Sequence, residues 1–492
     1  MKNAVGLRTM ERSQARSGFA PEVRNAISAN RWWALIILAL AQFLVVLDAS
    51  IVNIALPTVG TELHLDAGTL SWIITAYVLP FGGLLLLLGG RLADRFGHRR
   101  IFISGVAGFV IASAAAGMAA SGAWLLTARA VQGASAALLA PAALALVTKL
   151  FLSPQDRAKA LGIWGAVAGI GSAAGVLLGG VLTSAFGWEA VFYVNVPVGL
   201  LVIAAIPFLI AKDSTRRHLR VDLPGAVTVT AGIVALVAAL SEAQRIGWSN
   251  PLTLFLAAAA LLMLIVFMVI EKRTPEPLVP FAIFRNISVT GGNLAMLLIG
   301  GAATGLFFAL SVYMQQVLQY NALTAGLTQL PLAGALVVFA GIVPGLIKSI
   351  GTRWTLASSL LLFAAGLIWL SFAPSEASFA AHLLGPTLVI GAGLGGAFVA
   401  GTELAVHGVT ENEAGLAGGL VNTSQQIGGA IGLAVLAAVA ASRTNGLLSE
   451  GSSNLQALTG GFARVFLGAA VFAIVGALIV ILVHRTEKKV NA

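Results

Sequence analysis

Cysteine is absent from this 492-residue sequence, and charged residues make up only 10% of it. Without cysteine the chain has no disulfide, iron–sulfur cluster or thiolate metal site. Soluble globular domains carry about 25% charged residues, so the low charge excludes a water-soluble enzyme. The chain has no Gly-Lys dipeptide, which a phosphate-binding P-loop requires, and neither HExxH nor GxSxG occurs. The six histidines show no metal-ligand spacing. We therefore expect no enzyme activity, nucleotide, metal or cofactor.

Hydrophobic residues are abundant instead, at 58% of the chain, and the mean hydropathy is +0.94. A bilayer span needs about 20 mostly apolar residues, so this content supports about fourteen spans. The longest polar gaps are 1–31, 271–287 and 442–461. We predict an all-α integral membrane protein with spans at 33–56, 70–90, 101–120, 124–149, 160–184, 191–210, 223–240, 252–270, 288–317, 325–347, 354–373, 380–406, 417–441 and 462–483.

The basic residues predict the orientation of these spans. Cytoplasmic loops are enriched in lysine and arginine, and an inside N-terminus places 25 of the 29 basic residues in the cytoplasm. Arg245, Arg443 and Arg464 then fall outside, and Arg129 lies within a span. Both termini are therefore predicted to be cytoplasmic. Because orientation explains the basic excess, nucleic acid is not a predicted partner.

A weak internal repeat predicts how the spans are grouped. The segment 90–99 after span two is echoed by 344–353 after span ten, although only Leu, Gly and Arg match. The echo fits two six-helix halves with pseudo-two-fold symmetry, separated by two inserted helices, a plan found in transporters. The predicted parts are a tail 1–31, a bundle 32–210, inserted helices with linking loops 211–286, a bundle 287–484 and a tail 485–492.

Apart from Lys149 and Arg464, which are counted with the loops at the ends of their spans, three charged residues fall inside the predicted spans: Asp48, Arg129 and Glu403. An ionisable group within the bilayer is costly and usually persists for a function. Asp48 lies about 22 Å along the first span from its cytoplasmic end, at a rise of about 1.5 Å per residue. At this depth Arg129 of the fourth span could reach it. The alternatives are a proton-binding pair and a static structural pair. Glu403 lies near the end of its span, where it could simply face cytoplasmic water.

Four local motifs carry a resemblance to a known family. They are segment 47–57 in the first span, the loop 90–100, segment 129–133, and a glycine pattern in the fifth span. Two positions depart from the pattern of that family: His98 stands where the family usually has Arg or Lys, and Val176 stands where it usually has proline. Together the motifs resemble the fourteen-helix drug:proton antiporters of the major facilitator superfamily. The glycines are Gly162, Gly171, Gly175, Gly179 and Gly180.

The resemblance implies roles for these residues. It assigns Asp48 and Arg129 to proton coupling, and the glycine pattern to an antiporter face that keeps the transporter from leaking. Close packing of another helix on that bare face is the alternative explanation of the glycines. Glu403 is a further coupling candidate because of its charge within a span, and not because of the resemblance. For the loop it implies a conformational latch for the outward-facing state. Such a loop can hold the two halves together where Asp94 pairs with a basic group or a helix N-terminus. The alternative is that its arginines only orient the chain. The latch residues are Gly90, Arg91, Asp94, Arg95, Gly97 and Arg99.

The same resemblance implies a proton-coupled multidrug exporter in the cytoplasmic membrane, expected to be monomeric, with small molecules, protons and the bilayer as its partners. The alternative is an exporter of one endogenous metabolite, such as an antibiotic, a lipid precursor or a peptide. Aromatic and uncharged polar groups suit an amphiphilic cation. The candidate cavity residues are Asn53, Tyr77, Gln132, Trp164, Asn293, Phe307, Phe308, Tyr313, Gln315, Gln329, Asn422, Gln425 and Gln426.

Overall fold

The computed structural model describes residues 21–65, 67–82, 85–151, 153–210, 222–275, 277–409 and 414–490, and every regular element in these ranges is a helix. Short 3₁₀ or π segments occupy Phe281–Arg285, Tyr313–Val317 and Phe379–Leu383. The α-helices are α1 Pro21–Glu62, α2 Ala67–Gly82, α3 Leu85–Phe96, α4 His98–Gly117, α5 Gly122–Leu150, α6 Pro154–Phe186, α7 Ala190–Tyr193, α8 Asn195–Leu209, α9 Leu223–Ile246, α10 Pro251–Arg273, α11 Ile287–Val312, α12 Ala322–Ile350, α13 Thr352–Leu370, α14 Leu384–Ala405, α15 Ala414–Ser449 and α16 Asn454–Val490.

Among the described residues, twelve helical segments are long and apolar enough to cross a membrane. They coincide with twelve of the predicted spans. The other two predictions, 70–90 and 160–184, overlap the shorter apolar stretches Thr69–Gly82 and Ala174–Phe186. The chain is therefore a polytopic helical membrane protein, and the count of fourteen stays a prediction.

The predicted loop at 442–461 is wrong. Helix α15 continues to Ser449 and α16 begins at Asn454, so the connection is much shorter. Polar residues such as Arg443 end the apolar run, yet they do not end a helix, because most polar side chains have adequate helix propensity. Hydropathy marks where a helix leaves lipid, and these helices extend beyond that point.

The predicted loop at 90–100 is also wrong, because α3 continues through Phe96 and α4 begins at His98. Only Gly97 lies outside a helix, with a φ of 101°. Its counterpart in the sequence echo, Gly351, joins α12 to α13 with a φ of 81°. This left-handed region favours glycine. The repeated glycine therefore marks a sharp turn between consecutive helices in each part of the chain.

The helices pack in two groups around a large apolar core, and Ile54, Val176 and Ala322 form a small separate cluster. In the first group α1 packs along α6, while α2 and α4 pack on α5. In the second, α11 packs on α15 and α16, and α14 packs on α12 and α13. The groups meet where α6 contacts α12 and where α2 contacts α15. Helices α9 and α10 form a hairpin whose α9 also contacts α15.

Candidate functional site

An ion pair inside the protein joins Asp48 of α1 to Arg129 of α5. Nη1 of Arg129 donates a hydrogen bond of 2.5 Å to Oδ2 of Asp48. Both side chains are at most 1% exposed. Burying a charge costs several kcal/mol unless an opposite charge and hydrogen bonds compensate for the lost water. The two charges that stand out in the sequence therefore form one unit, and each depends on the other for burial.

The second carboxylate oxygen of Asp48 is held by two amides. Its Oδ1 accepts hydrogen bonds from Nδ2 of Asn195 at 3.0 Å and from Nε2 of Gln132 at 3.1 Å. The same two amide nitrogens also donate to the hydroxyl of Ser113, at 3.4 and 2.7 Å. The carboxylate thus meets donors from two helices, α5 and α8, and the hydroxyl of Ser113 on α4 accepts from both of the amides.

Arg129 is held independently of Asp48 as well. Its Nε donates to the carbonyl of Ile73 at 3.2 Å, and its Nη1 donates to Oε1 of Gln132 at 3.0 Å. The guanidinium also lies over the ring of Tyr77, 4.3 Å from the centroid, and 5.8 Å from that of Phe192. Cations are attracted to the faces of aromatic rings. The cation consequently keeps several partners even where the carboxylate is neutral.

Close helix approach brings α2 to this pair. A Cβ atom on Gly133 of α5 would overlap the backbone carbonyl of Tyr77 on α2, so only glycine permits this contact. The Tyr77 hydroxyl in turn donates to the carbonyl of Val45 on α1 at 3.3 Å. The glycine of the 129–133 motif therefore sets the distance between the helices that carry the site.

The sequence did not indicate Asn195 or Ser113, although both are fully buried at the pair. Asn195 offered a weak signal, as an amide in an otherwise apolar predicted span. Ser113 offered none, because a hydroxyl among small residues usually bonds to its own helix. Glu403 lies apart from the pair: its side chain is exposed near the end of α14.

The candidate cavity residues are distributed over several places. Tyr77 and Gln132 belong to the Asp48–Arg129 cluster. Asn293 of α11 accepts a hydrogen bond of 3.0 Å from Ser424 of α15. The hydroxyl of Tyr313 donates to the carbonyl of Pro374 at 2.7 Å. These side chains are buried and bonded in this conformation.

The other candidates differ in exposure. Gln329 and Phe308 are buried, whereas Asn422 is exposed. A Cβ on Gly82 of α2 would overlap the side chain of Gln426 on α15, which places Gln426 at the contact between the two helix groups. Trp164, Phe307 and Gln425 are half-buried. A common cavity for these residues stays a prediction.

The predicted latch residues lie where α3 meets α4. Oδ1 of Asp94 is 3.1 Å from Nε2 of His98, the first residue of α4. The other ring nitrogen of His98 lies 2.8 Å from Nζ of Lys149 on α5. Asp94 is thus linked through His98 to the end of α5. The guanidinium of Arg95 lies over the ring of Phe96, 5.2 Å from its centroid.

Arg91 contacts a different part of the chain. It donates a hydrogen bond to the carbonyl of Pro277, in the segment between α10 and α11. In the same segment the N–H of Val279 donates to Glu271 at the end of α10, at 3.3 Å. Glu271 is only 3% exposed, a buried acid one residue beyond the predicted span. Of the other latch residues, Gly90 packs toward Pro141 and Arg99 is half-buried.

Three glycines of the predicted face pack against α1. A Cβ on Gly175 would lie 3.0 Å from the carbonyl oxygen of Leu47, and one on Gly179 would lie 2.8 Å from that of Ile51. Gly171 approaches the same helix one turn earlier. Small residues allow such close contact between membrane helices. Since Asp48 follows Leu47, this face fixes α6 directly against the segment that carries the carboxylate.

Gly180 faces the second helix group instead. A Cβ there would lie 2.7 Å from the carbonyl oxygen of Ala322, at the start of α12. Next to it, the N–H of Leu323 donates to the hydroxyl of Ser184 at 3.1 Å. These contacts close the two groups together where α6 ends and α12 begins. Gly162 lies in α6, but its surroundings are outside the described part of the chain.

A second contact between the groups lies close by. We name it, together with the contact of Gly180 and Ser184 with Ala322 and Leu323, the distal seam. The hydroxyl of Ser311 donates to the carbonyl of Asn53 at 2.6 Å, and Nε2 of Gln315 donates to the carbonyl of Ile54 at 3.0 Å. Both acceptors are backbone groups of α1, five and six residues beyond Asp48. The seam therefore depends on the position of α1.

Substitution of Gln315 by Ala is expected to favour opening of the distal seam. The loss of the bond to Ile54 removes about 1 kcal/mol, which changes the ratio of closed to open protein about fivefold. Because the chain has no cysteine, spin labels at Phe186→Cys and Gln319→Cys report the distance uniquely. Gln316→Ala serves as the control. An unchanged distance distribution in Gln315→Ala contradicts the role of this bond.

Fold and site together define a polytopic membrane protein with an ion pair buried among its helices. The sequence matches the Major Facilitator Superfamily over residues 38–433. The puromycin resistance protein pur8 of Streptomyces alboniger is 40% identical over 90% of this chain and 88% of its own length. The chain belongs to the Major Facilitator Superfamily, which confirms the family predicted from the four motifs.

Other relatives are named as export or resistance proteins. The cephamycin export protein CmcT of Amycolatopsis lactamdurans is 41% identical, with 89% of this chain and 90% of the relative covered. The multidrug resistance protein Stp of Mycobacterium tuberculosis is 33% identical, with 83% and 75% covered.

Solved structures show the same fold at low identity. A bacterial homologue of the human lysosomal transporter Spinster, in an inward-facing and occupied conformation, matches with a TM-score of 0.63 and 18% identity over 95% of this chain and 98% of that one. A bacterial homologue of the human drug peptide transporters matches with a TM-score of 0.61 and 16% identity, with 94% and 99% covered.

Proposed function

We propose that this protein is a proton-coupled antiporter that exports hydrophobic or cationic drugs across the cytoplasmic membrane by alternating access. The observation that carries the proposal is the buried pair of Asp48 and Arg129. Several relatives of the chain are named for resistance or export. Intramembrane ionisable residues commonly serve as proton relays in transporters. We also propose fourteen spans in a 6+2+6 arrangement, with both termini in the cytoplasm.

The neighbours of Asp48 can accommodate both of its protonation states. The ionised carboxylate accepts from Arg129, Gln132 and Asn195. Within the described residues, the side-chain oxygen of Asn195 is buried without a hydrogen-bond partner. An amide presents either N–H or C=O, so rotation of Asn195 would offer that oxygen to the hydroxyl of protonated Asp48. A proton can then be held at the site, with the protonated carboxyl donating a hydrogen bond to Asn195.

Movement of α1 would couple this site to the distal seam. The same helix carries Asp48 and the two carbonyls that bond to Ser311 and Gln315, and these lie about 8 Å apart along the axis at a rise of about 1.5 Å per residue. A shift of α1 that separates Asp48 from Arg129 would therefore also strain the seam. In this scheme protonation favours one arrangement of the two groups, and substrate favours the other.

The residues around Gly97 are proposed to latch the opposite end of the bundle. Asp94 holds α3 to α4 through His98, and Arg91 holds α3 to the segment that leads from the inserted hairpin into the second group. The Arg91 contact must break or slide when the groups rock, because it joins the first group to the segment that leads into the second. The latch thus sets the rate of the conformational change, whereas Asp48 provides its coupling to protons.

A dedicated exporter of one metabolite is the second candidate. It is favoured by the names of two relatives, a cephamycin export protein and a tetracenomycin C resistance and export protein. The fold and the buried pair serve either function equally, since neither specifies the substrate.

Efflux measurements test both candidates. Cells that express the chain are loaded with a panel of dyes and antibiotics, and retention is followed with and without a protonophore. We expect several chemically unrelated compounds to be exported, with export abolished by the protonophore. Export of a single compound class would favour the dedicated exporter. Efflux that is insensitive to the protonophore would contradict proton coupling in both.

A further inference from the structure

Three basic residues fall outside in the predicted orientation, and two of them lie together. They are Arg245, Arg443 and Arg464, out of 29 basic residues. Arg443 of α15 and Arg464 of α16 line the same groove, of about 560 Å³. Arg245 lies three residues before Trp248, which lines the groove from the turn between α9 and α10. Two of the three residues that break the charge bias therefore share one groove, and the third lies close to it along the chain.

The groove has the character of an anion site. Arg443 is half-buried and Arg464 is exposed, and the exposed hydroxyl of Ser442 lies beside them. All residues that line the groove are within the described ranges, and none of them is acidic. Two guanidinium groups bind a phosphate through charge-assisted hydrogen bonds, often with two parallel bonds each.

The same groove is also apolar on one side. Along α15, Val439 lies one turn before Arg443, and both line the groove. Val439 is 41% exposed and Trp248 is 67% exposed. Tryptophan concentrates at the membrane–water interface, where its ring meets the lipid headgroups. The lining thus changes from apolar to cationic within one helical turn. A molecule with an apolar part and an anionic head group would fit such a lining.

We propose that this groove binds an anionic phospholipid, with its phosphate between Arg443 and Arg464. The hydroxyl of Ser442 would donate to the same phosphate, while the acyl chains lie along Val439 and Trp248. A free phosphate would use only the cationic part of the groove. The lipid would join the inserted hairpin to the second helix group. In the predicted orientation it belongs to the outer leaflet. This site is independent of the proposed transport activity.

Quenching of Trp248 by brominated lipid tests the site. Delipidated full-length protein in detergent is titrated with phosphatidylglycerol that carries brominated acyl chains, and the signal of Trp248 is taken as the difference from Trp248→Phe. Saturable quenching is expected in the wild type. The variant Arg443→Gln/Arg464→Gln should need about tenfold more lipid. Arg100→Gln/Arg285→Gln removes the same charge elsewhere and should titrate as the wild type does.

Three results would overturn the proposal. One is equal quenching in the wild type and in the double variant. Another is equal quenching by brominated phosphatidylcholine, which would show that the anionic charge is irrelevant. The third is displacement of the lipid by an equal concentration of inorganic phosphate, which would show a site for the free ion. If the double variant does not fold, Arg464→Gln alone, at an exposed position, should weaken binding by a smaller factor.

Discussion

Substitution of Asp48 by Asn is expected to reduce proton-driven efflux to the level seen with a protonophore, while folded protein still reaches the membrane. The amide oxygen of Asn can accept from Gln132 and Asn195, but it cannot take up a proton. Removing one partner of a buried ion pair usually costs about 3–5 kcal/mol. Here Arg129 keeps the carbonyl of Ile73 and the ring of Tyr77, which should lower that cost.

Proteoliposomes separate loss of coupling from loss of folding. Asp48→Asn should still exchange labelled for unlabelled substrate without a pH gradient, whereas efflux against a gradient should be lost. Glu376→Gln removes an acid from an exposed position and serves as the matched control. Full proton-driven efflux in Asp48→Asn would show that Asp48 and Arg129 are only a structural pair.

Substitution of Gly428 by Val is expected to prevent stable folding. A Cβ on Gly428 of α15 would overlap the carbonyl oxygen of Leu297 on α11, and Gly300 meets the carbonyl of Gln425 in the same way. The two helices are therefore in backbone contact, and a branched side chain must push them apart. Inserting extra methyl groups into a packed core costs about 1–3 kcal/mol or more. We expect the yield of monodisperse protein in detergent to fall severalfold.

Gly418→Val is the matched control for this prediction. Gly418 lies on the same helix, and a Cβ at that position has no atom within 4 Å beyond its own helix neighbourhood. The helix-propensity change is the same at both positions, so the difference in yield isolates the contact. Equal yields for the two variants would show that α11 and α15 do not need this close approach.

The sequence predicted the parts of the site that carry charge. Asp48 and Arg129 stood out because a charge in a membrane span is rare, and their depths along the spans were compatible with contact. Ser113 and Asn195 were missed, since uncharged polar residues are common in spans and their partners depend on helix rotation. The loops at 90–100 and 442–461 were predicted wrongly, because hydropathy reports contact with lipid and not helicity.

By itself the sequence determined that the chain lies in a membrane, which superfamily it belongs to and that its fold is helical. The scarcity of charge and the length of the apolar runs place most of the chain in lipid. There the backbone polar groups must be hydrogen-bonded to one another, and apolar runs of this length achieve this as helices. Only the tertiary structure decided which residues meet: that the pair of Asp48 and Arg129 includes Gln132, Asn195 and Ser113, and that the groups close at the distal seam. Such contacts depend on how each helix is rotated and how closely it approaches its neighbour. Those positions are set by packing between helices far apart in the chain.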